Sequence, residues 1–383
     1  MGRIYELYAP CHFGMEAVLK REINDIGYDV TRTIDGRVYF KGDDETIVRA
    51  NLCLRTAQRV MINVAQFKAR TYDELFENVK AAKLEEFIPP DGKFWVSKAA
   101  SIKSKLFSPS DIQSIVKKAM VDRLKSVYNI SWFSEEGALY PFRVSIVDDI
   151  VTIGLDTSGE SLHKRGYRVM TVKAPVTETL AAALIMLTPW KSDRILIDPF
   201  CGSGTFVIEA ALMAMNIAPG LYRNFISQSW DNIISPDMWE DAKDEANEEI
   251  DYNVKTDIQG FDIDAEALKA ARFNAHRAGV VEKIHFQQRD VKELSHSKKY
   301  GFIITNPPYG ERLGQREELV ELYSALGKRY AALDSWSMYI ISAWEDTQKY
   351  IGKRADKNRK IYNGMMKTYF YQYMGAKPPK KKI

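Results

Sequence analysis

Two short stretches hold residue types that chemistry needs. Residues 198–205 read Asp-Pro-Phe-Cys-Gly-Ser-Gly-Thr, and residues 306–309 read Asn-Pro-Pro-Tyr. Each follows a short apolar run, so each stands just beyond a predicted strand. In the first, Gly202 and Gly204 permit a tight turn with backbone N–H groups open to a ligand, and the helix start that follows favours a carboxylate or phosphate. A Walker loop is excluded because no Gly-Lys-Ser/Thr follows. A dinucleotide fingerprint calls for glycine three positions after Gly204, where Val207 stands. The remaining ligand is a nucleoside whose other end is an amino acid, S-adenosylmethionine; a plain strand–helix turn is the alternative.

The second stretch fits an exocyclic amino group on a planar base. Such a nitrogen is a poor nucleophile, because its lone pair is delocalised into the ring, until acceptors hold its N–H bonds. The Asn306 side-chain oxygen and the Pro307 carbonyl can supply both acceptors. Pro307 and Pro308 fix the carbonyl's direction, since their φ is locked and they donate no competing N–H. Tyr309 offers a face for an extruded base, and such stacking contributes about 1–3 kcal/mol. Held this way, the nitrogen can attack a methyl group in line, with orientation supplying most of the catalysis. Two more acids end strands: Asp262, placed for ribose hydroxyls, and Asp290, placed for an adenine amino group or else to cap the next turn. Asp262 lies 58 residues after Gly204, beyond the usual spacing of roughly 20. An acidic stretch at 214–257, read as an inserted loop and helix, accounts for the difference, and Asp264 reads as a helix cap.

These residues need a frame that brings several strand ends together. From about residue 170, strand and helix alternate: TETLAAALIML, RILID, TFVIEAALMAM, IQGFDID, AEALKAARFNAHRAG, KIHFQQRD, FIITNPPY, EELVELYSALGKRYAAL and WSMYIIS. That alternation predicts an α/β domain with a doubly wound parallel sheet, whose ligands bind beyond the carboxyl ends of the strands. RKIYNGMMKTYFYQYM adds an antiparallel hairpin with Asn363-Gly364 as its turn. Upstream, helix 16–27 with C-capping Gly27 and short strands suggest a small α+β domain over residues 1–65. A second unit over 66–165 has a strand at 93–102, a long helix at 108–128 and a hairpin turning at Asp148-Asp149; the third domain covers 170–383.

Length and composition agree with several soluble domains: 383 residues, 45% apolar and 27% charged. No run approaches the roughly 20 apolar residues of a membrane span, and the start lacks a signal peptide's pattern, so a cytoplasmic protein is expected. Cys11, Cys53 and Cys201 are few and far apart, and the five histidines lack ligand spacing, so neither disulfide nor metal is expected. Net charge is only +3, but residues 93–125 hold eight Lys or Arg against two acids, while 231–257 hold ten acids against two lysines. A basic face suited to a polyanion is one reading and a solvated face the other.

The paired loops resemble the signature of Rossmann-fold S-adenosylmethionine-dependent amino-methyltransferases. APCHFGMEAVLKREI, LHKRGYR, VKAPVTETLAAAL, DPFCGSGTFVIEAA, NPPYGERLG and RKIYNGMMKTYFYQY narrow the resemblance to the THUMP-domain RNA guanine-N2 methyltransferases, in particular the bacterial 23S rRNA branch. The resemblance runs over nearly the whole chain. It implies a ferredoxin-like N-terminal domain, a THUMP domain and a Rossmann-like catalytic domain, with S-adenosyl-L-methionine as cofactor and RNA as partner. By position, it implies that Asp198, Gly202 and Gly204 line the methionine part, Asp262 the ribose and Asp290 the adenine, with Phe200, Cys201, Ser203, Thr205, Ile263 and Val291 completing that lining. Asn306, Pro307, Pro308 and Tyr309 would hold the guanine. Lys98, Lys103, Lys105, Lys164, Arg165 and Arg168 would meet RNA phosphates. A tRNA guanine, a DNA adenine or a protein glutamine as acceptor, and a silent RNA-binding factor, are the rival readings.

Overall fold

In the computed structural model, residues 3–170, 176–309, 316–364 and 366–379 are described. Parts of two expected motifs, residues 310–314 of NPPYGERLG and 172–175 of VKAPVTETLAAAL, lie outside them. The chain folds as two units, the first comprising residues up to Cys11, Lys20–Leu162 and Arg223–Glu245, the second His12–Leu19, His163–Tyr222 and Ala246–Ile383. It therefore passes from one unit to the other five times. Among the described residues no helix is long and apolar enough to cross a membrane.

The first unit is built on strands β1 (Tyr5–Pro10), β2 (Val30–Ile34), β3 (Arg37–Gly42), β4 (Met61–Lys68), β5 (Lys93–Ile102), β6 (Leu139–Val147) and β7 (Ile150–Asp156). They form one seven-stranded sheet in the order β2-β3-β1-β4-β7-β6-β5, antiparallel except for the parallel β5–β6 pair. Because β4 pairs with both β1 and β7, the strands of residues 5–68 and 93–156 share this sheet. Alternation sends Leu7, Phe40, Ile62, Phe142, Val144 and Leu155 to a buried face. Helix α1 (Glu16–Asp25) starts in the second unit and ends in the first, and α2 (Asp44–Cys53), α3 (Tyr72–Ala81) and α4 (Pro109–Tyr128) follow in chain order in the first. Ser108 caps α4 with Pro109 in its first turn, and Asp148 and Asp149 take the left-handed conformation of a tight hairpin turn, as the sequence predicts.

The acidic stretch is an inserted loop and helix, as read from the sequence, and part of it is packed rather than solvated. Within the first unit, Trp230 is fully buried, its ring stacks on Tyr140 at 5.0 Å, and its indole N–H donates to the Leu139 carbonyl at 2.8 Å. Asn232 donates to the Phe87 carbonyl and accepts from the Tyr140 hydroxyl. Charge dominated the composition there, but a handful of apolar and amide side chains decide where the segment packs.

The second unit contains α5 (Glu178–Met186), β8 (Leu196–Asp198), α6 (Thr205–Ala214), then, after α7 (Pro236–Glu248), β9 (Ile258–Asp262), α8 (Ala265–Arg277), β10 (Ile284–Gln288), β11 (Phe302–Thr305), α9 (Arg316–Ala331), β12 (Ser337–Ser342), α10 (Thr347–Ile351), β13 (Lys357–Asn363) and β14 (Met366–Tyr373). The sheet order is β10-β9-β8-β11-β12-β14-β13, with the first five strands parallel and the last two antiparallel. Strand residues alternate between two cores. Leu196, Phe286, Ile304 and Tyr339 face the core that contains α5, α6 and α8 residues, while Ile197, Phe261, Ile303 and Met338 face the core that contains α9 residues. Asn363 pairs with Met366, so Gly364, at φ +62°, opens the hairpin turn one residue later than the Asn-Gly signal suggests.

Trp230→Ala should lower stability by about 3–5 kcal/mol, because it empties a buried stacking site and orphans the Leu139 carbonyl. Urea denaturation followed by circular dichroism measures this; a loss under about 1 kcal/mol would show that the segment is not anchored by this ring.

Candidate active site

The glycine loop begins where β8 ends. Asp198 is 1% exposed, and its Oδ1 accepts from the Phe200 N–H at 3.1 Å and from the Thr305 hydroxyl at 2.6 Å. Thr305 is the last residue of β11, directly before Asn306, so one side-chain bond joins the two chemistry-bearing loops across adjacent parallel strands. Burial pushes the Asp198 carboxyl up to about 7, against the pull of the Thr305 and Phe200 hydrogen bonds and with a further push from Asp262. Both bonds fall on Oδ1, so Oδ2 keeps its lone pairs for a ligand.

The loop then crosses the end of β9. Cys201 N–H donates to the Phe261 carbonyl, and Gly202 N–H donates to Asp262 Oδ2 at 2.9 Å. Gly204 has φ +89°, and a Cβ there would lie 3.1 Å from Ile208 Cδ1 and 3.2 Å from Ala271 Cβ, so glycine is required on both counts. Asp262 Oδ1 accepts the Asp264 N–H, and Asp264 caps α8 as expected. Burial raises the Asp262 carboxyl, while backbone N–H groups of Asp264, Gly202 and Ile263 pull it down. Beside it, Ile263 is 66% exposed, an uncovered apolar surface next to a diol acceptor. Asp290 spends Oδ1 on the Lys292 N–H, which is the capping role weighed from sequence, and its second oxygen remains. The Val291 side chain is buried in the α9 core, so only its backbone can face a ligand. Ser203, Thr205 and Cys201 are also buried, and burial raises the Cys201 thiol. Phe200 packs against the same core as Val291.

Asn306 and Tyr309 meet directly, the Tyr309 hydroxyl donating to Asn306 Oδ1. The loop is held from below by Tyr323, whose buried hydroxyl lies 3.2 Å from the Pro308 carbonyl and 2.9 Å from Ser342 Oγ. Sequence reasoning missed Tyr323, Thr305 and Asn274. Thr305 left a signal as the polar residue ending an otherwise apolar strand; the other two are unremarkable members of helices. Asn274, fully buried on α8, donates to the carbonyls of Ser203 and Met170 and so ties the glycine loop to the segment preceding the catalytic helices.

Arg165 and Arg168 are corrections. Neither is available to RNA: Arg165 is 5% exposed beside Glu209, and Arg168 pairs with Glu178 at 3.1 Å while donating to Thr205 Oγ1 at 2.8 Å. Glu178 and Glu209 lie in the apolar helices α5 and α6, where a buried carboxylate requires a cationic partner, and these arginines meet that need. Lys98, Lys103, Lys105 and Lys164 are exposed, the first three within the first unit and Lys164 in the second.

A doubly wound sheet with a glycine loop after one strand, acids at the ends of its neighbours and an Asn-Pro-Pro-Tyr loop defines a methyltransferase active centre. Residues 165–372 match the RMKL-like methyltransferase domain (UPF0020), residues 6–61 the RlmL ferredoxin-like domain and residues 69–156 the THUMP domain. The chain is 45% identical over 380 residues to YpsC, a candidate RNA methyltransferase of Bacillus subtilis (strain 168), covering 99% of this chain and 98% of that one. It is 33% identical over 384 residues to the ribosomal RNA large subunit methyltransferase K/L of Cellvibrio japonicus (strain Ueda107), covering 94% of this chain and 50% of that relative. It thus spans about half of that longer protein. Solved structures similar to it include a candidate methylase from Clostridium difficile 630 (48% identity, TM-score 0.95, 99% of this chain and 100% of that one). Another, from Listeria monocytogenes str. 4b F2365, is named a predicted N6-adenine-specific DNA methylase (44%, 0.92, 98% and 97%). A third, SMU.472, is a candidate methyltransferase complexed with SAH (40%, 0.92, 99% and 100%). The chain belongs to the RMKL-like methyltransferase family, and its cofactor is S-adenosylmethionine. The donor set suits that molecule through its carboxylate acceptors with spare lone pairs and an exposed apolar side chain for a base, whereas the Gly202 and Gly204 N–H groups, expected to be open, are spent on Asp262 and on the Cys201 carbonyl.

Asp198→Asn tests the buried carboxyl. A group whose pKa is raised on folding stabilises the fold when protonated, and that contribution fades as pH rises through about 7. In cofactor-free protein, the melting temperature of the Asn variant relative to wild type should therefore rise between pH 5.5 and pH 8.5. A constant difference would mean that Asp198 titrates in the ordinary carboxylate range. Tyr323→Phe should lower kcat several-fold while leaving cofactor affinity unchanged in calorimetry; equal loss of both would place Tyr323 in the fold rather than behind the loop.

Proposed function

We propose that this chain transfers the methyl group of S-adenosylmethionine to the exocyclic N2 of a guanine in RNA, with 23S rRNA as the substrate. The observation that carries the reading is the Thr305–Asp198 bond, which sets the amine-holding loop beside the cofactor loop in a single buried register. The THUMP match, the exposed lysines at 98, 103 and 105, and the names of the Bacillus and Cellvibrio relatives favour RNA over other acceptors.

When bound, the cofactor supplies an electrophilic methyl carbon on a sulfonium. Asp262 and Asp290 would accept from its ribose and adenine, and the loop of Gly202 and Gly204 with Asp198 would hold the amino-acid end. Asn306 Oδ1 and the Pro307 carbonyl accept the two N–H bonds of the guanine amine, turning its lone pair toward the methyl group. Positive charge developing on that nitrogen as it accepts the methyl group would be lowered in energy by these two acceptors, and the surplus proton would pass to bulk water. The phenol of Tyr309 shares Asn306 Oδ1, so an arriving amine displaces that hydrogen bond and leaves the ring in position to stack. Tyr323, its hydroxyl bonded to Ser342, holds the Pro308 carbonyl while this exchange occurs.

A DNA adenine N6 acceptor is the second reading, favoured by the name of the Listeria structure. Tritium transfer from labelled S-adenosylmethionine to total RNA and, in parallel, to genomic DNA of a strain lacking this gene, with the modified nucleoside identified by mass spectrometry, separates them. N2-methylguanosine in 23S rRNA is the expected product. N2-methylguanosine in tRNA moves the substrate, and label only in DNA overturns the RNA reading. In the same assay Asn306→Ala should reduce turnover on the order of a hundredfold with cofactor affinity intact; a parallel collapse of cofactor binding would contradict its role at the amine.

A further inference from the structure

The outer face of the first unit's sheet carries an arrangement that the lysines proposed above do not use. On the face opposite Leu7 and Phe40, Tyr8, Tyr39 and Met61 form a small buried cluster of their own, in register on β1, β3 and β4. Cations lie over the tyrosines. The Arg32 guanidinium is 4.0 Å from the Tyr39 ring centroid, and the Arg37 guanidinium is 5.4 Å from that of Tyr8. Each reaches across strands to a neutral acceptor: both Nη atoms of Arg32 donate to Gln66 Oε1 at 3.2 Å, and Arg37 Nη2 donates to Ser145 Oγ at 3.1 Å. On the same face Arg143 stands in register with Lys98, and its Nε, 3.3 Å from Asp156, makes no hydrogen bond.

Surface arginines are ordinarily mobile, and holding them flat against rings sacrifices rotamer freedom. Tying one edge to Gln66 or Ser145 leaves the charge uncompensated and the other N–H groups of the guanidinium directed elsewhere. A planar cation fixed in this way suits the oxygens of a phosphate, which accept from two N–H groups at once. Lys98 continues the row onto the edge strand β5, at the start of the basic stretch 93–125.

We propose that this sheet face is a second phosphate-binding surface for the RNA substrate, with Arg32 and Arg37 as preset cations and Arg143 joining them to Lys98. The inference rests on RNA being the substrate. It gives the ferredoxin-like domain, which contains Arg32 and Arg37, a direct part in holding RNA alongside the THUMP domain.

The test uses the full chain and in vitro-transcribed 23S rRNA, with binding measured by filter retention from about 50 to 200 mM salt. Replacing both residues (Arg32→Gln with Arg37→Gln) should make the slope of log affinity against log salt shallower by about 2, one counterion per lost phosphate contact. KM for RNA should rise on the order of tenfold, with kcat and cofactor affinity unchanged. The charge-preserving pair, Arg32→Lys with Arg37→Lys, should restore the slope. An unchanged slope in the Gln variant, while wild type binds RNA, overturns this inference alone, as does a slope lost equally in the Gln and Lys variants, which would mark a folding effect. Wild type that binds cofactor but no RNA overturns both this inference and the RNA reading beneath it.

Discussion

Everything at the catalytic end of this protein depends on a carboxyl group that water barely reaches. Asp198 and Thr305 end neighbouring parallel strands, and their side chains meet at 2.6 Å inside the sheet. One strand ends in the loop proposed for the methyl donor, the other in the loop proposed for the acceptor. Methyl transfer between two bound molecules is governed by alignment, and misplacement by about 1 Å can cost on the order of a hundredfold. A bond in low dielectric, sheltered from competing water, is a stiff way to fix that alignment. The same burial makes the carboxyl reluctant to ionise, so rigidity and an unusual protonation behaviour have one origin.

The two loops are braced from opposite sides of the sheet. On the side of α6 and α8, Arg168 holds Thr205 and Asn274 holds the Ser203 carbonyl. On the side of α9, Tyr323, its hydroxyl held by Ser342, reaches the Pro308 carbonyl. Each brace ends on a backbone carbonyl or a loop hydroxyl rather than on the groups expected to touch substrate. The groups proposed to react therefore stay free to exchange partners, as Asn306 would on giving up the Tyr309 phenol.

Much of this was legible in the residues. Strand–helix alternation, glycines at 202 and 204 and the two prolines after Asn306 constrain backbone geometry through short-range sterics, and short-range sterics can be read from short stretches. What escaped reading depends on distant pairing. Arg165 and Arg168 look like surface cations because their partners, Glu209 and Glu178, are many residues away in helices whose apolar character draws them inward. Trp230 was hidden in an acidic run for a related reason: net charge averages over a segment, while burial is decided residue by residue. Tyr323 and Asn274 could be found only once the helices were set against the sheet. The arginine-capped tyrosines of the first sheet needed register across four strands before their proximity emerged.

The excursion of residues 223–245 has a bearing on how such a protein can change over time. A gene recombined at the natural-looking junction near residue 162 would hand one descendant a first sheet whose Tyr140 has lost its covering tryptophan, and the other an orphaned hydrophobic segment with nothing to pack on. Neither half is a spare part. The unit of inheritance is the interleaved pair, and the Cellvibrio relative fits that constraint, since the match to it runs through 94% of this chain, both units included, inside a protein about twice as long.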